Sequence, residues 1–156
     1  MLKKKHSTTT IQTAGDADGL SVKAYKGDGT VLLAFDLDEH LTERLAGFAV
    51  KCAPPSGKPF FLTNRLNFKN KVTTDTTPAN RVFTPTNIAP FQTFRWTDFP
   101  PLDKAGKYSY EVSAMYFKNK DGLKVGPTAS VPVEVGPFHD GLSEIGFTRG
   151  YLSSQA

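Results

Sequence analysis

Apolar residues recur at every second position along much of this chain. Tyr108, Tyr110, Val112, Ala114 and Tyr116 alternate with Ser109, Glu111 and Ser113. That spacing predicts a half-buried strand, with one face against a core and the other in water. Leu20, Val22 and Ala24 predict a first strand, closed by the turn signal Lys26-Gly27-Asp28-Gly29. Val31, Leu33, Phe35 and Leu37 share one face of a second strand, with Asp36 on the other. Leu41 and Leu45 are four apart and predict a turn or two of helix, with Asp38 as its cap and Gly47 as its end. Phe48, Val50 and Cys52 resume the strand period until Pro54-Pro55. Phe60, Leu62, Leu66 and Phe68 predict another strand, bulged near Asn64. Phe91 to Asp98 reads as a strand whose Phe94 and Trp96 lie together on the core face. Val131, Val133 and Val135 predict the last strand, with Pro132 on the alternate face marking a sheet edge.

Two stretches lack this pattern. Residues 1–18 are polar and read as a flexible N-terminal arm. Residues 69–90 hold six Thr and three Pro and read as a long loop or insertion outside the core. About seven strands separated by turns predict an all-β fold, a two-sheet sandwich of the immunoglobulin/fibronectin type III-like kind. Leu102, Gly106 and Tyr108 follow Pro100-Pro101 in the order that marks a tyrosine corner at the head of a sandwich strand.

The 156 residues, 38% hydrophobic with 12 Phe, suffice for one domain with a real core. The net charge is +4, and Lys3, Lys4 and Lys5 contribute three of those charges, so the remainder lacks the basic stripe of a nucleic-acid binder. Cys52 is the one cysteine, which excludes an internal disulfide; its alternating apolar setting predicts a buried, inert thiol. MLKKKHSTTT has no apolar segment after its charges, and no apolar run approaches the roughly 18 residues of a membrane span. The expected chain is soluble and cytoplasmic.

Candidate chemistry is sparse. His6, His40 and His139 are far apart in sequence, whereas a zinc site needs clustered ligands. A metal hydrolase using His40 or His139 with nearby carboxylates is disfavoured on that ground. Asp36, Asp38 and Glu39 read as a solvated face, and Asp16, Asp18 and Asp28 lack the rest of a calcium loop. Gly27-Asp28-Gly29-Thr30 lacks the Gly-Lys-Ser/Thr end of a phosphate loop, and no serine has a Gly-x-Ser-x-Gly context. Phe94-Arg95-Trp96 interleaves a cation with rings, but alternation sends Arg95 to the opposite face. No catalytic residue, cofactor or metal is expected. The residues expected to matter structurally are Tyr108, Trp96, Phe94 and Phe35.

Tyr108-x-Tyr110-x-Val112-x-Ala114 resembles the penultimate strand of fibronectin type III domains, with residues 19–137 as the domain. Phe35 stands where that family usually has tryptophan. The run from Gly146 to Ala156, GFTRGYLSSQA, resembles the segment leading into the catalytic region of some bacterial phospholipase D-like proteins. Leu45-Ala46-Gly47-Phe48 and Phe94-Arg95-Trp96 are similar to their upstream sandwich. The resemblance implies a non-catalytic N-terminal accessory domain. Its partner would be a C-terminal catalytic domain that it packs against, or a substrate or protein that it holds, with room for a homo-oligomer. Residues 138–156 would be a linker and the start of the next domain, with Ile145, Phe147, Arg149 and Tyr151 as interdomain contacts. The family's His-x-Lys-x-x-x-x-Asp signature is absent, since no histidine has lysine two residues later, so no catalytic role carries over. The alternative is a free-standing protein- or carbohydrate-binding module using the 69–90 loop.

Overall fold

The computed structural model describes residues 11–13, 17–27, 29–68, 77–101, 103–118 and 122–136. The interdomain candidates Ile145, Phe147, Arg149 and Tyr151, together with His6 and His139, lie outside them.

Ten strands form among the described residues. They are β1 (Ile11–Thr13), β2 (Leu20–Lys26), β3 (Val31–Leu37), β4 (Leu45–Ala53), β5 (Phe60–Phe61), β6 (Thr63–Asn64), β7 (Thr84–Pro85), β8 (Arg95–Asp98), β9 (Gly106–Phe117) and β10 (Leu123–Val135). Two single 3-10 turns are the helical content of this part. One antiparallel sheet has the order β1-β2-β3-β8, the other β10-β9-β4-β5, and β6 pairs with β7. The fold is all-β and sandwich-like, because the alternating side chains of both four-stranded sheets meet in one core. Leu20, Val22, Leu33 and Phe35 come from the first sheet; Phe48, Val50, Tyr110, Val112 and Val131 come from the second. Each apolar face is covered by the other, which is what period-two patterning on both sides requires.

Several sequence expectations are corrected. The proposed arm contains β1, whose three residues pair with Lys23–Tyr25. The helix after Asp38 is one 3-10 turn, Glu39–Leu41, and Asp38 makes no side-chain cap. Gly47 does not end a helix. It lies inside β4 at φ +129°, where a Cβ would collide with the Phe91 carbonyl, and this close approach lets Phe48 and Phe91 exchange two backbone hydrogen bonds of 2.9 Å. The single strand expected over residues 60–68 is two short ones: β5 joins β4, β6 joins β7, and Leu62 between them is buried.

The 69–90 segment is not wholly outside the core, because Thr86, Ala89 and Pro90 are buried. Thr86 Oγ1 accepts from Val50 N at 3.0 Å and donates to Val50 O at 3.1 Å. One hydroxyl thereby satisfies the edge of β4 beyond its pairing with β5. Asn64 Nδ2 donates to the carbonyls of Ala89 and Pro90 at 3.2 and 3.0 Å, tying the same segment down. Within Phe91–Asp98 the strand β8 covers Arg95–Asp98, the Phe94 carbonyl accepts from Phe35 N at 2.8 Å, and Phe91 is joined by its bridge to Phe48. Pro132 lies exposed on β10, an outer strand of its sheet.

Candidate functional site

Two core tyrosines, Tyr108 and Tyr110, serve as struts, whereas the buried hydroxyl of Tyr116 has no hydrogen-bond partner among the described residues. Tyr108 Oη donates to the Lys104 carbonyl at 2.8 Å, the bond that defines a tyrosine corner, and its ring is buried. Two residues on, Tyr110 Oη donates to Asp98 Oδ2 at 2.7 Å, linking β9 of one sheet to β8 of the other. Cys52 lies opposite Tyr110 on β4 and is buried. Burial, followed by the nearby Asp98 charge, pushes its thiol up to about 12, against a smaller opposing effect of a hydrogen bond with Tyr110. Burial and then the Asp98 charge also push the Tyr110 phenol well above its ordinary range. A thiol held in its protonated form is a poor nucleophile, so this cluster does not make a reactive cysteine. His40 is exposed in the 3-10 turn, and no group of three or more His, Cys, Asp or Glu able to hold a metal occurs among the described residues.

The four structural candidates do not share one environment. Tyr108 and Phe35 are buried, and Phe35 packs against Phe48 with ring centres 4.9 Å apart. Trp96 is half-buried and stacks on Phe91 at 3.6 Å, with 15° between the planes. Phe94, expected in the core beside it, is 48% exposed. Phe94 sits in the bend before β8 with its carbonyl still accepting from Phe35 N at 2.8 Å, and its ring meets Phe48 edge-on at 5.1 Å from the sheet margin.

At this margin Phe94 lines a surface groove. The groove, of about 250 Å³, is lined by Leu45, Gly47, Phe48, Gln92, Phe94 and Phe117. A register shift between Leu45 and Gly47 breaks the β4–β9 ladder at this point. Phe117 is 40% exposed and meets the 46%-exposed Phe68 edge-on at 5.1 Å. Phe68 reads as an apolar strand residue in the sequence, whereas its place beside Phe117 on this surface depends on a contact remote in sequence. Among the described residues no helix is long and apolar enough to cross a membrane. Searches of protein-family models, curated proteins and solved structures return no match to this chain.

Proposed function

We propose that this chain is a non-catalytic contact domain, an immunoglobulin/fibronectin type III-like sandwich that works by packing against or holding another protein. The observation that carries this reading is the groove at Phe94 and Phe117, where large rings stand at the surface of the domain. The tyrosine-corner bond from Tyr108 supports the sandwich class. The resemblance of Gly146–Ala156 supports the finer reading, an accessory domain preceding a phospholipase D-like phosphodiesterase, with residues 138–156 leading into it.

The test of the finer reading is the reading frame downstream of Ala156. Two His-x-Lys-x-x-x-x-Asp motifs there support the accessory domain. A stop codon removes it and leaves the free-standing binding module, which the exposed rings favour equally.

A further inference from the structure

The strand registers give the domain two unlike ends. Val135 pairs with Gly106 at one end of the β9–β10 ladder, and Leu123 pairs with Phe117 at the other. Twelve residues of strand separate them, or roughly 40 Å. Gly136 is at the first end, where its carbonyl accepts from Lys26 Nζ at 3.2 Å. Ile11 is at that end too, paired with Tyr25 beside Lys26. Both outermost described residues therefore lie at the pole opposite the groove.

The size of the groove selects its occupant. Phe68, Phe94 and Phe117 are 46%, 48% and 40% exposed. With an aromatic side chain taken as about 200 Å², they present only ~270 Å² together. A stable dimer buries about 800 Å² on each partner, so a second copy seated on this patch alone falls far short. At about 250 Å³ the groove also lies below the ~300–1,000 Å³ of pockets for larger ligands. Its lining side chains are apolar except Gln92, whose amide offers one acceptor and two donors, the complement of a peptide group. A sugar needs more polar partners than that. Arg95, which the sequence interleaves with Phe94 and Trp96, is exposed on the alternate face of β8 from the core-packed Trp96.

We infer that this groove, at the pole remote from both outermost described residues, binds an extended peptide segment of another protein through one large apolar side chain. The side chain enters between Phe94 and Phe117 with Phe48 as floor, and Gln92 bonds the peptide backbone. The inference rests on the reading of the domain as a contact module and is independent of the phospholipase D resemblance.

The test is an amide NMR titration of the full 156-residue chain with the capped peptide Ac-Gly-Gly-Phe-Gly-Gly-NH2. The control peptide carries Asp in place of Phe. The expected result is saturable shifts clustered at Gly47, Gln92, Phe94 and Phe117, absent with the Asp peptide. Phe94→Ala or Phe117→Ser, each confirmed folded by its dispersed spectrum, should weaken the midpoint about fivefold or more, as loss of an anchoring contact does. Phe60→Ala, at an exposed ring on β5, should leave it unchanged. No saturable shift, shifts centred elsewhere, or full binding by both groove variants overturns the inference. So does a concentration-dependent dimer in sedimentation that Phe94→Ala abolishes, since the groove would then serve a second copy. Failure here leaves the downstream reading frame as it is, so the two tests fail separately.

Discussion

Removing one oxygen from each strut tyrosine should give two different costs. Tyr108 and Tyr110 are both buried on β9, and replacement by Phe keeps each ring in place. What is lost is one hydrogen bond at 2.8 Å to the Lys104 carbonyl or one at 2.7 Å to the Asp98 carboxylate. Lys104 is exposed, so its carbonyl can turn to water, and the bond from Tyr108 is between neutral groups. Tyr108→Phe should therefore cost about 0.5–1.5 kcal/mol. The Tyr110 bond is to a charged acceptor in a half-buried setting, and such bonds contribute about 1.5–3 kcal/mol. Tyr110→Phe should be the worse of the pair by ~1 kcal/mol. Urea melts at pH 7 followed by Trp96 fluorescence measure both, with an unchanged m-value as the check that compactness is the same. The reasoning is refuted if Tyr108→Phe lowers the midpoint as much as Tyr110→Phe or more, or if neither moves it.

Three further outcomes are expected. Trp96→Ala removes the one tryptophan, so its melt is followed by far-UV circular dichroism; it should cost about 2–4 kcal/mol, less than a fully buried tryptophan, because half-burial and the stack on Phe91 are what is lost. Gly47→Ala should destabilise by more than about 2 kcal/mol, since its Cβ meets the Phe91 carbonyl and its φ is positive; a wild-type midpoint would mean that β4 does not approach Phe91 this closely. Stability should fall in alkali. The native Cys52 thiol titrates near 12 against an ordinary 9.0, so the unfolded chain loses its proton first, and the stabilisation present below pH 9 is lost between 9 and 12. In that window Cys52→Ala should show a shallower fall with pH than wild type, and an equal slope would place the thiol in water.

The alternating strands were legible because burial on one face leaves a period-two trace that needs no knowledge of the partner. Val31, Leu33, Phe35 and Leu37 are all buried as that trace requires. Tyr108 was legible for a related reason, since its hydroxyl reaches a carbonyl only four residues back. The features that escaped depend on distant parts of the chain. Thr86 looks like one more threonine of a polar loop, and only the open edge of Val50, 36 residues away, makes its hydroxyl a core group. Gly47 reads as a helix stop, yet its conformation answers to Phe91. Phe94 follows the parity of Trp96 and its carbonyl still bonds Phe35 N, yet at the end of the strand its ring stays half in water, where it lines the groove.

The proposed contact role carries no phosphodiester chemistry, and that proposal can be tested directly. The direct measurement is turnover of bis-p-nitrophenyl phosphate by the purified 156-residue chain, alone and with added zinc or calcium. The expected result is no turnover, because no histidine in the sequence has a lysine two residues on and the buried thiol is held protonated. Turnover that survives repurification and disappears in His40→Ala or His139→Ala would contradict it.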